Sequence, residues 1–305
     1  LYLTLLFLLF DLVKLIFNYT GFPSLLNPSN GMTQLRKVVI GIYAIAAIVL
    51  TAGYINALYP RVNQIKITTN KNIDGYESLK IGMASDIHLG TIITNGRLER
   101  FVRMMNEQNP DIILLAVDIF DEDLGPVIQN DMGNILRQLN APLGVYAVTG
   151  NHEYIGGVDP AVEYLEKYNI RVVRDTTIVV EGLLNVVGRE DRQSQVMGGL
   201  TRKPLDKIVS GIDNSLFTIL LDHQPYNLNE AVENGIDLQL SGHTHHGQMF
   251  PLNRVTKAIF EVSRGLKKIE NTYVYVSTGF GTWGPPVRVG NRPEVAVIEV
   301  VKRIG

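Results

Sequence analysis

An α/β fold follows from three features of residues 62–305. Short apolar runs alternate with amphipathic stretches, several apolar runs end in a polar loop that carries histidine, and residues 111–116 are too apolar for a strand with one face in water. Alternating strands and helices predict a largely parallel or mixed sheet covered on both faces. In such folds ligands gather at the carboxyl ends of the strands.

The N-terminal part reads differently. Residues 1–17 are almost wholly apolar, interrupted by Asp11 and Lys14, which stand three apart and could pair inside a helix bundle. Because the chain opens on Leu1, a piece of a longer hydrophobic region is expected; a cleaved signal peptide is the rival reading, weakened by the second apolar run that follows. Residues 38–59 contain no charge, and at about 20 residues per crossing they predict a transmembrane helix. Arg36 and Lys37 bracket one end, Pro60 and Arg61 the other, with Tyr54 and Tyr59 near the exit. Residues 18–37 read as the loop between two spans. The organisation expected is a membrane region over 1–61, with one or two helices in a bacterial inner or plasma membrane, and a catalytic domain over 62–305. Basic residues nearly tie across the main span, with Arg36 and Lys37 against Arg61, Lys66 and Lys71, so charge alone does not orient it.

Within the second part, residues 79–84 predict a strand and 95–107 a helix, with Leu98, Phe101, Val102 and Met105 at helical spacing. Residues 111–116 predict a buried strand, 127–139 a helix, 144–149 a strand and 161–168 a helix. Residues 171–187 read as β-structure turning at Glu181-Gly182. A strand over 216–221, a short helix over 228–232, a strand over 238–240 and closing strands over 273–277 and 294–301 complete the order. Hydrophobic content of 46% with 19% charge describes a folded chain, and a net charge of −2 gives no electrostatic case for nucleic acid. The chain has no cysteine, so a metal would be held by His, Asp, Asn or Glu, a mixed nitrogen and oxygen set suited to Mn, Fe or Zn.

All six histidines follow apolar runs. His88 lies in Asp86-Ile87-His88, His152 in Gly150-Asn151-His152-Glu153, His223 in Asp222-His223, and His243, His245 and His246 in Gly242-His243-Thr244-His245-His246. Strand alternation would put Asp86 and His88 on one side, and likewise His243 and His245. With Asp118 and Asn151 these residues exceed what one metal needs; two divalent ions sharing a bridging carboxylate would use them all.

At this point the chain resembles the calcineurin-like metallophosphoesterases. That family's patterns Asp-x-His, Gly-Asp-x-x-Asp, Gly-Asn-His-Glu/Asp, a single His and Gly-His-x-His appear in order as Asp86/His88, Val117-Asp118-Ile119-Phe120-Asp121, Gly150-Asn151-His152-Glu153, His223 and Gly242-His243-Thr244-His245. The tail, Ser277-Thr278-Gly279-Phe280-Gly281-Thr282 and Pro285-Pro286-Val287-Arg288, is similar to a membrane-associated bacterial branch. The resemblance implies a sandwich of two mixed sheets flanked by helices and a centre of two divalent ions (Mn, Zn or Fe). One ion would take Asp86, His88 and His245, the other Asn151, His223 and His243, with Asp118 bridging. It further implies His152 as proton donor to the leaving-group oxygen, Asp121 as the carboxylate that orients it, and a phosphate ester or pyrophosphate as substrate. It also puts the catalytic domain on the extracytoplasmic side. His246 has no place in the motif and is a candidate substrate contact. Asp123, Glu153 and Asp222 read as supporting or solvated.

Two features qualify this reading. Val117 stands where the family has Gly; a displaced Asp118 would leave a catalytically impaired membrane receptor or scaffold, the alternative reading. Residues 248–270 carry Val255, Ile259, Val262, Leu266 and Ile269 at helical spacing, with Arg254, Lys257, Arg264, Lys267 and Lys268 mainly off that stripe. This predicts a basic amphipathic helix, either core-facing or a lip that receives a lipid-linked phosphate beside the bilayer.

Overall fold

The computed structural model describes residues 1–20, 32–73 and 76–303. Helices α1 (Tyr2–Thr20) and α2 (Met32–Leu58) come first, with Phe7 meeting Tyr43 edge-on at 6.2 Å between ring centres. Among the described residues one helix is long and apolar enough to cross a membrane, over Leu35–Leu58. The loop read over 18–37 falls mainly on 21–31, outside the described residues; its two ends are helical, because α1 runs to Thr20 and α2 starts at Met32.

Only Tyr59 and Pro60 separate α2 from β1 (Arg61–Thr69). There follow β2 (Ser78–Ala84), α3 (Asn95–Asn106), β3 (Ile112–Ala116), α4 (Gly125–Gln129), α5 (Met132–Leu136), β4 (Val145–Val148), α6 (Asn151–Gly156), α7 (Val158–Lys167), β5 (Arg171–Val172), β6 (Thr176–Val180) and β7 (Leu184–Gly188). The chain continues through α8 (Gln193–Met197), α9 (Leu205–Ile208), β8 (Phe217–Leu221), α10 (Asn229–Glu233), β9 (Leu238–Ser241), α11 (Leu252–Ile259), β10 (Gly265–Ile269), β11 (Thr272–Val276) and β12 (Glu294–Lys302).

Two mixed sheets result, ordered β1-β12-β2-β3-β4-β5 and β10-β11-β9-β8-β7-β6. In the first, only the β12–β2 pair is antiparallel; in the second, only the β10–β11 and β6–β7 pairs at the edges are. Strand alternation builds three layers of core. Ile112, Leu114 and Ala116 of β3 face Ile219 and Leu221 of β8 between the sheets, while Ile113 and Leu115 turn outward to Leu98, Phe101 and Leu165 of the helices. Leu220 turns outward from the second sheet to Leu205, Ile208 and Ala231. The apolar run of β3 is explained, since both of its faces are covered.

Three local expectations are corrected. The helix read over 127–139 is two short helices, because Asp131 adopts φ 51°, a left-handed conformation that Asp tolerates and that breaks the turn. The amphipathic helix read over 248–270 is α11 followed by strand β10. Phe260 turns extended, Val262 enters the core of the second sheet, and Gly265 takes φ 76° to open the strand. Lys267 and Lys268 therefore ride on an edge strand, where one pairs with Glu261 at 2.9 Å and the other lies over the Tyr273 ring. Strands β1 and β10 were not anticipated. β1 alternates exposed and half-buried positions and completes the first sheet by pairing along its whole length with β12.

Leu114 is fully buried between the sheets. Leu114→Ala should cost about 2–5 kcal/mol through lost transfer energy and the cavity left behind. A thermal melt of the detergent-solubilised chain followed by circular dichroism checks this as a lowered Tm.

Candidate metal centre

The loops that leave β2, β3, β4, β8 and β9 converge at one end of the sandwich. Asp86 and His88 follow β2, Asp118 follows β3, Asn151 and His152 open α6 after β4, His223 follows β8, and His243 and His245 follow β9. Adjacent strands lie about 4.8 Å apart, so residues far apart in sequence end up as neighbours. Strand alternation is not what pairs Asp86 with His88. Both have left-handed φ, 50° and 52°, as do His243, His245 and His246 at 66°, 43° and 47°. Each of these residues sits on a sharp turn that aims its side chain, a strain that such sites commonly hold.

Three groups have ligand atoms within 4.8 Å of one another: Asp86, His88 and His245; His88, Asp118 and His152; and Asp118, His223 and His243. Nε2 of His88 faces Nε2 of His245 at 3.0 Å, and the latter lies 3.4 Å from Asp86 Oδ1. Nδ1 of His223 faces the Ala116 carbonyl at 3.2 Å and donates to it, which aims Nε2 at Asp118 Oδ2, 3.1 Å away. Nδ1 of His243 meets Asn151 Oδ1 at 2.8 Å. Asn151 thus joins His243 on the side of the Asp118–His223 group.

Asp118 stands at the middle. Its Oδ1 accepts the His152 backbone N–H at 2.9 Å while its Oδ2 faces His223. Gly150 makes the room: a Cβ there would lie 2.0 Å from Asp118 Oδ1 and 2.4 Å from the Val117 carbonyl oxygen. Val117 packs into the core. Its φ is not left-handed, and its side chain is fully buried in the apolar cluster with Ile87, Leu89 and Ile119. Glu153 ties the loops together, accepting the backbone N–H groups of Ile119, Phe120 and Gly150 at 2.8, 3.1 and 2.7 Å. Asp222 accepts from Arg202 and lies 3.7 Å from Arg189, behind His223. Asp123 is exposed and caps Gly125.

Asp121 approaches His152 with its main chain as well as its carboxylate. His152 Nδ1 bonds to its backbone carbonyl, while the Asp121 carboxylate is 3.9 Å from that nitrogen and 3.5 Å from His88 Nδ1. A carbonyl only accepts, so Nδ1 of His152 carries the proton and Nε2 is the free nitrogen. His246 lies outside the three groups, with Nδ1 3.0 Å from Ser263 Oγ. The sequence reading missed a support: the buried Arg288 guanidinium reaches His245 Nδ1 at 3.2 Å and donates to the carbonyls of Thr278, Gly279 and Gly281, while Asn291 donates to the His245 carbonyl at 2.9 Å. Arg288 was visible only as part of the tail pattern; its contact with His245 depends on the fold.

The electrostatics suit a cation. Burial holds His245 well below its usual range, with His88 and Arg288 adding to the effect, and burial pushes His243 down to about 4. These imidazoles are therefore neutral, the form that ligates. Burial would raise Asp118, yet the neighbouring His223, His88 and His152 hold it well below the usual carboxylate range. Burial also opposes a charge on His223, but Asp118 overrides it and holds the imidazole well above its normal value. Buried carboxylates facing imidazole nitrogens across about 3 Å, with His88 Nδ1 and His223 Nε2 otherwise lacking partners, form a donor set that fits a divalent metal.

The model of the calcineurin-like phosphoesterase family matches residues 79–247. The chain is 33% identical over 258 residues to an uncharacterized metallophosphoesterase of Aquifex aeolicus, covering 84% of this chain and 97% of that protein. It is 31% identical over 279 residues to a Danio rerio protein named transmembrane protein with metallophosphoesterase domain, covering 86% of this chain but 62% of that one. It is 30% identical over 246 residues to an uncharacterized metallophosphoesterase of Helicobacter pylori, covering 80% of this chain and 65% of that protein. The chain thus spans nearly the whole length of the first relative and under two thirds of the other two.

Gly150→Ala should push Asp118 aside and lower bound divalent metal, read by elemental analysis of the purified chain. Val117→Gly should lower Tm by opening a core cavity without raising metal content; a gain in metal would mean that valine distorts the centre.

Proposed function

The chain belongs to the calcineurin-like phosphoesterase family, and from that premise we propose that it is a membrane-anchored phosphohydrolase with a two-metal centre. The observation that carries this is the buried Asp118, set between the Asp86–His88–His245 group and the His223–His243–Asn151 group and in contact with the second through His223. One ion would be held by Asp86, His88 and His245, the other by Asn151, His223 and His243, with Asp118 shared between them. Bound divalent ions would supply Lewis-acid stabilisation of the charge that builds on phosphoryl oxygens.

The chain's own groups do the rest. His223 is held for ligation by its donation to the Ala116 carbonyl, and the His245 backbone carbonyl is fixed by Asn291. His152 is fixed by donation from Nδ1–H to the Asp121 carbonyl, which leaves Nε2 as the nitrogen that would take up a proton and then, as imidazolium, deliver it to a leaving-group oxygen. The substrate class is a phosphomonoester, phosphodiester or pyrophosphate. Residues 1–61 form the membrane region and 62–305 the catalytic domain, and a lipid-linked substrate is consistent with only two residues between α2 and the first strand. The core packing of Val117 favours the enzyme reading over a catalytically impaired membrane receptor or scaffold.

Hydrolysis of an aryl phosphodiester by the detergent-solubilised chain with Mn or Zn tests the reading. Asp118→Asn should lower the rate by roughly 100-fold or more, the scale of loss when preorganised charge stabilisation is removed. Dialysis against a chelator should abolish turnover and re-addition of metal restore it. Equal rates for Asp118→Asn and the parent would remove the proposal. His152→Ala should cost about 10²–10⁴-fold on an ester with a poor leaving group and less on an activated nitrophenyl ester. Asp121→Ala should cost much less than His152→Ala, because the backbone carbonyl remains.

A further inference from the structure

The end of α2 is set into the catalytic domain. A Cβ on Gly53 would lie 2.6 Å from Val287 Cγ1 and 2.8 Å from Val289 Cγ2, so the helix backbone and this strip touch directly. The Arg288 N–H donates to the Gly53 carbonyl at 3.0 Å, and Asn56 Nδ2 donates to the carbonyls of Arg288 and Asn291 at 2.9 and 2.6 Å. The last helix carbonyl groups are taken as well: Arg97 reaches Ala57, Arg100 reaches Leu58, and Arg292 reaches the following Tyr59 at 3.0 Å.

This contact fixes a depth. Gly53 lies within the apolar stretch Leu35–Leu58, five residues before its end. At ~1.5 Å of rise per residue the contact is ~7.5 Å below the point where the stretch ends. A domain that meets a spanning helix there sits in the bilayer surface, not above it on a tether.

The same strip carries a set of uncovered apolar side chains. The Val289 N–H donates to the Gln248 carbonyl at 3.0 Å and the Phe250 N–H to the Val289 carbonyl at 2.8 Å. The Gln248 side chain donates to the carbonyls of Trp283 and Pro285 and accepts the Trp283 N–H at 2.9 Å. Phe250 is thus one backbone spacing from the segment that lies on α2, Trp283 is tied to it through the Gln248 side chain, and they are 45% and 60% exposed. Two residues past Phe250, α11 shows Leu252, Val255 and Ile259 to the outside, at i, i+3 and i+7, with the buried Thr256 at the edge of that stripe. Arg254, whose guanidinium lies over the Phe250 ring at 5.8 Å, and Lys257 share this helix.

We propose that α11, with Phe250 and Trp283, is a membrane-contact surface that lies in the interfacial layer of the bilayer crossed by α2. Apolar side chains on one stripe with basic ones on the opposite face suit an anionic lipid surface, and the ~7.5 Å depth set by Gly53 matches the depth to which interfacial helices sink. The inference rests on α2 as a span and is independent of the phosphoesterase chemistry. It bears on that chemistry through Phe260, which follows α11 and whose ring lies 6.1 Å from that of His243. A phosphoester carried on a lipid would reach the centre along α11.

Trp283 is the chain's single tryptophan, which makes it a native depth probe. The full chain is reconstituted in vesicles of phosphatidylcholine and phosphatidylglycerol, with plain or acyl-brominated lipid. Trp283 fluorescence should fall roughly twofold or more in brominated lipid and resist aqueous iodide, as insertion past the headgroups requires. The chain has no cysteine, so Val255→Cys also takes a single nitroxide label; that label should be more accessible to oxygen than to a water-soluble nickel chelate. Equal fluorescence in both lipids with efficient iodide quenching would overturn the proposal. So would a label shielded from oxygen and nickel alike, which would put a second copy of the chain on this face. Neither measurement requires turnover, so an inactive chain that still inserts would refute the enzyme reading alone.

Discussion

The placement of Asp118 is the constraint on which the rest of this structure depends. A fully buried carboxylate is costly to charge, and here it is ringed by His223, the His152 backbone N–H and, close by, His88. That arrangement requires the loops after β3, β4 and β8 to meet at one point. It requires a residue without a side chain at 150, because any Cβ would occupy the space of Asp118 Oδ1. It requires Glu153 to collect the backbone N–H groups of two loops so that neither drifts. The two-layer core supplies rigidity: packed interiors transmit strain and do not absorb it, so loops anchored on buried strands keep their relative positions.

A second constraint comes from the other side of the centre. Arg288 is fully buried and divides its donors among three backbone carbonyls, Asn291 and His245. Burial lowers its pKa to about 10, so it still carries its charge at neutral pH and adds to the burial that keeps the neighbouring imidazole neutral. Its backbone N–H is bonded to Gly53 of α2. One residue therefore links the apolar helix to a candidate ligand. The helix belongs to the folded unit, since its last turn is hydrogen-bonded by side chains from α3 and from the strip before β12.

The fold class, the apolar helix and the residues that gather at the centre were readable from the chain alone, because each has a local signature. Buried strands such as β3 show continuous apolar runs, a span shows length without charge, and polar residues placed just after strands sit at the strand ends whatever the tertiary details. Ambiguity remained where local pattern and tertiary demand diverge. Residues 248–270 have helical spacing throughout, yet Val262 has a place in the second sheet's core and Gly265 supplies the turn into β10, so the spacing beyond Phe260 is coincidental. The edge strand β1 lacks an apolar run and exists because β12 offers it an open edge.

By itself, then, the sequence determined which side chains could meet, through the order of strands and the loops that close them. The tertiary structure decided how they meet. Asp86 and His88 come together through left-handed turns and not by strand alternation, Asp121 meets His152 with its main chain as well as its carboxylate, and Val117 finds room in the core. It also decided what α2 touches, since the Gly53 contact joins residues more than 230 positions apart. Periodicity reports the burial of a residue within its own element. Distances between loops depend on how two sheets pack, and no local pattern encodes that.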